Sequence, residues 1–275
     1  MAQYDVAIAY RVYPGISKTP AFYATDKRRL AELGLRSLRL ALEDVRVRLY
    51  AILDGCPPDY EELILRYFSK EHTEIVHRPR VGNAATFLEQ LDYLIAQPHA
   101  EFVYLAEDDY LYRPGTFRWL LEFAQQNPHA HFVAPHDYPD YYTMALHRGC
   151  VQLQVAEQYH WRTAGTTTLT FLTRRSILRR TQSVWRTYAR GNFDASMWMA
   201  LTKHAVLHPL RNVRNYHAAA IWAKAWIYGF RQILLGRRWN LWVPIPSMAT
   251  HLERTTLAPG VDWNAVRQLV ESTQV

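Results

Sequence analysis

Between Tyr4 and Ala134 the chain alternates short apolar runs with segments of helical period, and this alternation restricts the fold more than any other feature. Tyr4–Tyr10 (YDVAIAY) reads as a buried first strand. A helix follows from Asp26, its cap, to about Leu42, with Leu30, Leu33, Leu38 and Leu42 at helical spacing. Val45–Leu53 alternates and then runs apolar into Asp54-Gly55, as a strand ending in a turn does. A helix over Tyr60–Phe68, a strand over Thr73–His77, a helix over Asn83–Ala96 and a strand over Glu101–Ala106 continue the series. Pro114 opens a helix over Gly115–Gln125, and His131–Ala134 is a fifth strand. Strands separated by helices need crossovers, so an α/β fold with a doubly wound, mainly parallel sheet flanked by helices is predicted. The rest is less regular: a strand over Thr166–Thr173, helices over Arg175–Thr181, Ala195–Lys203 and Ala218–Leu235, an extended Val243–Pro246, and a final helix over Asp262–Glu271.

The formal net charge of +7 suits an anionic partner, whether a nucleotide diphosphate, a nucleic acid or an acidic membrane surface. No helix-turn-helix, zinc or RNA-recognition signature supports the nucleic acid. Met1–Asp5 is short and polar, so no secretory leader is expected, and Cys56 and Cys150 read as free thiols in a reducing, cytoplasmic compartment. Lys224 and Arg231 interrupt Ala218–Leu235 and exclude a membrane span. Residues 218–239 form a basic, aromatic helix suited either to packing on the sheet or to peripheral membrane contact; apolar residues almost all round favour packing.

Glu107-Asp108-Asp109 stands directly after the apolar fourth strand. Adjacent acids repel and are costly to desolvate, and ligands of doubly wound sheets bind at the carboxyl ends of strands. A divalent cation with oxygen ligands, Mn²⁺ or Mg²⁺, would relieve that repulsion and neutralise a diphosphate. A solvated acidic turn before a helix is the alternative.

The stretch FVYLAEDDYLYRPGTFRWLLEF resembles the DXD region of GT-A glycosyltransferases, with an EDD spelling. In order along the chain, YAILDGCPPDYEELI, VGNAATFLEQLDYLI and PSMATHLE also resemble segments of family-2-like members. The resemblance implies a GT-A-type fold over 1–275, with about 1–135 as a nucleotide-binding half and about 136–275 as an irregular acceptor-side lobe. It implies transfer of a sugar from a nucleotide-sugar donor, UDP-linked, to a sugar, lipid-linked or small-molecule acceptor, with inversion. Asp109 and His251 are then metal ligands with Glu107 behind them, and Asp108 contacts the ribose or a metal-bound water. Asp54 meets the base, unless it is only a turn residue before Gly55, and Arg80 and Asn83 meet the nucleotide or its phosphates, with a helix cap as the alternative for Asn83. The sequence departs from the family at Tyr10-Arg11-Val12-Tyr13-Pro14, where Tyr10 or Tyr13 is placed to stack and Arg11 to meet phosphate. Asp194, in Gly191-Asn192-Phe193-Asp194, takes the place of the catalytic base, though a helix cap explains it equally. His136, Asp137, Trp161 and Arg162 are candidates for the acceptor side. Sugar nucleotidyl transfer is a second enzymatic reading, weakened by a loop after strand one with a single glycine, Gly15; a basic nucleic-acid-binding module is a third.

Overall fold

The structure, a computed structural model, describes residues 3–16, 19–144, 147, 149, 151–208 and 216–274. Its first half is β1 (Val6–Val12), α1 (Lys27–Leu42), β2 (Val47–Asp54), α2 (Asp59–Tyr67), β3 (Thr73–Arg78), α3 (Asn83–Ala96), β4 (Phe102–Glu107), β5 (Tyr110–Tyr112), α4 (Thr116–Gln126) and β6 (Phe132–Val133). Then come α5 (Asp140–Thr143), β7 (Leu153–Ala156), β8 (Tyr159–Ala164), β9 (Phe171–Arg174), α6 (Arg175–Trp185), α7 (Asp194–Thr202), α8 (Tyr216–Leu234), β10 (Leu241–Ile245), β11 (Ala249–His251) and α9 (Trp263–Ser272).

One nine-stranded sheet has the order β3-β2-β1-β4-β9-β6-β10-β8-β7, and β5 pairs separately with β11. β3, β2, β1 and β4 are parallel, as the alternation predicts. Beyond β4 the sheet is mixed, because β9 runs antiparallel to both β4 and β6. The expected α/β architecture is therefore present, parallel where strands alternate with helices and mixed where they do not. Connections leave β1 in both directions across the sheet, which makes the β1/β4 edge a topological switch point.

Strand alternation divides the core. Val6, Ile8, Tyr10 and Val12 of β1, with Phe102 and Tyr104 of β4, pack with α1, α2 and α4. Ala7 and Ala9, with Val103 and Leu105, pack with α3, α6, α7 and α8. Burial on both faces explains why these strands read as continuous apolar runs. Asp26 caps α1 by accepting from Arg29 N at 3.0 Å, and Asp262 caps α9 through Asn264 N and Ala265 N, both as expected.

Three local readings change. β1 begins at Val6 because Asp5 turns aside to hold the Arg46 backbone and guanidinium. Of Thr166–Thr173 only Phe171–Thr173 lies in a strand, since side chains claim the backbone before it: Tyr141 Oη donates to Thr166 O, and Trp198 Nε1 to Thr168 O. The β7–β8 hairpin was not visible in the sequence, because Leu153 and Val155 are exposed edge residues with no buried face to announce them. Cys56 is a half-buried free thiol; Cys150 lies outside the described residues.

Candidate active site

The acid triplet ends β4 at the switch point, and each acid goes a different way. Glu107 is the last strand residue and lies opposite Arg11 in the β1–β4 register. Its Oε1 is 2.6 Å from Arg11 Nη2, and its Oε2 accepts from Thr170 Oγ1 at 3.1 Å. Asp108 turns to the other side, where Lys27 Nζ lies 2.7 Å away and Tyr13 N donates at 3.1 Å. Burial and the Asp109 charge push the Asp108 carboxyl up, and Lys27 opposes them. Asp109 Oδ2 lies 3.0 Å from His251 Nε2. Burial also acts to raise Asp109, but the His251 charge and hydrogen bond, with Lys27 and Arg11, outweigh it and hold the carboxyl low.

His251 arrives from 142 residues away through one structural device. β11 pairs antiparallel with β5, placing His251 opposite Tyr110, and Leu252 N donates to Asp109 O at 2.7 Å. Thr256 Oγ1 lies 3.1 Å from His251 Nδ1 and fixes the ring from behind. The acid turn is seated on α1 at Gly34, where a Cβ would stand 3.0 Å from Asp108 O and 3.2 Å from Tyr110 O.

A cavity of about 440 Å³ opens here, lined by Arg11, Val12, Tyr13, Gly15, Lys27, Asp54, Arg80, Gly82, Asn83, Thr86 and the three acids. Arg11, Asp54, Arg80, Asn83, Glu107, Asp108 and Asp109 are thus brought together as expected, with His251 directly behind Asp109. Their contacts refine the assignments. Asp54 Oδ1 and Oδ2 accept from Val81 N (2.7 Å) and Gly82 N (2.8 Å), so this carboxylate shapes the turn that carries Arg80. Gly55 lies beneath the Arg80 side chain, where a Cβ would meet Arg80 Cγ at 2.1 Å. Gly82, not Asn83, occupies the cap position of α3; Asn83 accepts from Arg11 and donates Nδ2–H to Tyr188 Oη at 2.9 Å.

Two assignments are corrected. Tyr10 is 1% exposed and faces the α1 and α2 core, because neighbouring positions of β1 point to opposite faces and Arg11 takes the other one. It is not available to stack on a ligand; Tyr13 lines the cavity instead. Glu107 is committed to Arg11 and Thr170 and stands apart from the Asp109–His251 pair. Among the described residues no three His, Cys, Asp or Glu side chains form a metal-holding group. Asp109 Oδ1 is buried with no hydrogen-bond partner among the described residues.

Lys27 was missed. Its signal was the first turn of α1, which holds Lys27, Arg28 and Arg29 and no acid. The helix dipole disfavours cations there, so the basic turn needed another reason.

Asp194 lies elsewhere, in the first turn of α7, where its Oδ1 accepts from Ala195 N at 2.6 Å. It lines a second cavity, of about 290 Å³, with Tyr138, Asp140, Tyr141, Met144, His147, Thr166, Thr167, Thr168, Ala195, His217 and Ile221. The two cavities share supports. The Tyr138 hydroxyl lies near Thr256, behind His251, and Tyr110 Oη lies 2.6 Å from Thr168 Oγ1. Burial raises the pKa of the Tyr188 hydroxyl and the Asp194 charge adds to it, against Arg11; its partner Asn83 lines the first cavity. Of the acceptor-side candidates, Trp161 is core, stacked on Phe123 at 3.9 Å, and His136 is buried with Nε2 3.1 Å from Thr256 O. Asp137 accepts from Tyr142 Oη at 2.5 Å, and Arg162 lies over the Tyr141 and Tyr142 rings.

No family model and no curated protein sequence matches the chain. Among solved structures it is similar to the galactosyltransferase LgtC in complex with donor and acceptor sugar analogs (10% identity, TM-score 0.48, over 98% of this chain and 96% of that one). It is similar also to CMP:2-keto-3-deoxy-manno-octonic acid synthetase complexed with CTP (14%, 0.43, over 97% and 98%). A third is S. aureus TarS 1-349 in complex with UDP (13%, 0.44, over 71% and 54%); the match spans about half of that TarS chain. At identities of 10–14% these likenesses carry no residue's role to this chain.

Proposed function

We propose that the chain is a GT-A-type, metal-dependent glycosyltransferase that moves a sugar from a UDP-linked donor to an acceptor hydroxyl with inversion. The observation that carries this reading is Asp109 Oδ1, buried with no hydrogen-bond partner among the described residues, beside His251 in the lining of the switch-point cavity. A buried carboxylate oxygen that accepts nothing is destabilising, and a divalent cation satisfies it. Asp109 and His251 fit such an ion, Mn²⁺ better than Mg²⁺ because one donor is an imidazole, with diphosphate and water oxygens completing the set. When bound, the ion supplies positive charge to the departing diphosphate.

The chain's own residues do the remainder. Lys27 and Arg80 set positive charge on the cavity wall for the phosphates, and Asp54 holds the Arg80 turn in place. Tyr13 offers a ring to the base. Asp194, in the second cavity, accepts the proton of an acceptor hydroxyl held among Thr166–Thr168 and the Tyr138 and Tyr141 rings. The first test is a panel of nucleotide diphosphates with and without Mn²⁺, read by melting temperature and donor hydrolysis. UDP with Mn²⁺ is expected to raise Tm and Asp109→Ala to abolish that rise. A rise that survives Asp109→Ala removes the metal site, and pyrophosphate release from a nucleoside triphosphate and a sugar phosphate replaces glycosyl with nucleotidyl transfer.

A further inference from the structure

We propose that the outer face of α8 docks on an anionic lipid bilayer. Charge is the first observation. Residues 195–252 contain seven Lys and Arg and no Asp or Glu, while the other 25 cations are matched by the 25 acids. The whole net charge of +7 thus belongs to one stretch, with α8 at its centre.

The second observation is the shape of α8. Ala218, Ile221, Ala225, Gly229 and Ile233 face inward, and Gly229 lies so close to α7 that a Cβ there would stand 2.6 Å from Ala200 Cβ. The helix therefore packs on α7 and not directly on the sheet, which corrects the expected sheet packing, and it keeps a second apolar face. Tyr216, Ile227, Phe230 and Leu234 stand 92%, 68%, 49% and 62% exposed, and Leu235 follows at 85%. Positions 216, 227, 230 and 234 share one side of a helix, and the 19 residues of α8 make this stripe roughly 28 Å long. Arg231 lies beside the stripe and Arg237 and Arg238 follow its end; none of the three has a carboxylate partner among the described residues.

These two observations together select the occupant. A nucleic acid would match the arginines and leave Ile227 and Leu234 against water or phosphate. A second copy would bring the same unbalanced positive charge against itself. An anionic bilayer takes both, apolar side chains at the acyl boundary and arginines among the headgroups. No helix among the described residues is long and apolar enough to cross a membrane, so the contact is peripheral. His217 and Ile221 line the second cavity, so docking holds that cavity beside the lipid surface. The docking does not depend on which reaction the site performs.

The test is flotation with vesicles of phosphatidylcholine alone and with added phosphatidylglycerol, at low and high salt. The protein is expected on the anionic vesicles at least about ten-fold more than on the neutral ones, and to leave them as salt rises. Ile227→Ser/Phe230→Ser and, separately, Arg231→Gln/Arg238→Gln should each lower binding about ten-fold, with melting temperature and nucleotide response unchanged. Absence of anionic binding in the intact protein overturns the proposal. So does anionic binding that both variants retain, self-association abolished by the Ile227/Phe230 change, or salt-dependent RNA binding abolished by the Arg231/Arg238 change without effect on vesicles.

Discussion

At the ends of β1, β2 and β4, charges from separate stretches meet in pairs: Arg11 with Glu107, Lys27 with Asp108, His251 with Asp109. Around Asp194 the walls are mainly hydroxyls and rings, Thr166–Thr168 with Tyr138, Tyr141, His147 and His217, and Asp140 is the one other acid among the described residues. A cavity of paired, buried charges is rigid before any ligand arrives and suits a ligand whose charge never varies, such as a diphosphate. A wall of hydroxyls and aromatic faces suits a neutral, hydroxyl-bearing ligand. Under the proposed function, donor binding belongs to the first cavity and acceptor deprotonation to the second, and that division can be broken by experiment.

The largest expected effect is at Asp194. Asp194→Asn should lower transfer by roughly 10²–10⁴-fold, while the Tm rise with UDP and Mn²⁺ stays as in the native protein. Equal loss of both would merge the two cavities into one site. Asp109→Asn should lower transfer by about 10²–10³-fold and should also remove the metal-dependent Tm rise. Isothermal titration with Mn²⁺ separates the two variants: Asp194→Asn keeps the binding heat and Asp109→Asn loses it. Thr256 tests the shared wall, because its hydroxyl contacts His251 Nδ1 and its carbonyl contacts His136, which packs edge to face on Tyr138. Thr256→Val is expected to weaken Mn²⁺ about ten-fold, with a measurable rise in acceptor KM. An effect on KM alone would mean that His251 needs no support from behind.

The first cavity was legible in the sequence for the reason that makes it rigid. Parallel strands buried on both faces are conspicuous runs, and a charge that interrupts such a run must lie at its end. Asp54 and Glu107-Asp108-Asp109 were placed this way, and the β5–β11 pairing then delivered His251. Tyr10 was misplaced because a buried run hides which residues face which side; only the Arg11–Glu107 register resolves it. The basic first turn of α1 carried a readable anomaly, but its partner Asp108 is fixed by tertiary packing at Gly34. Around Asp194 the Thr166–Thr170 segment has strand propensity and is not a strand, since side chains 25 and 30 residues away, Tyr141 and Trp198, take its carbonyls. No periodicity reports contacts of that kind.

Acid also separates the buried imidazoles from the paired carboxylates of the first cavity, and this is the smallest effect expected. His131 and His147 are buried, and burial lowers each to about 4; Arg237 adds to the shift at His131 and His204 at His147. Both imidazoles are neutral when folded and take a proton in the unfolded chain below about pH 6.5. The unfolded state therefore binds more protons between that pH and about 4, and stability falls as pH falls through this window, by up to about 1.4 kcal/mol per unit for each group. Asp109 has the opposite displacement from solvent, held low by His251, so its contribution persists at neutral pH and fades only once the pH drops below the unfolded carboxylate value. Acid should thus weaken the neighbourhood of His131 and Trp239, which meet edge to face at 5.1 Å, before it reaches the acid turn. Urea midpoints of the native protein and His131→Asn at pH 7, 6 and 5 measure this. The variant is expected to be less stable throughout, because Asn240 N donates to His131 Nδ1 at 3.0 Å, but its slope against pH should be shallower. Parallel slopes would place the acid sensitivity in the other buried imidazoles, His136 and His147, and remove the role given to His131.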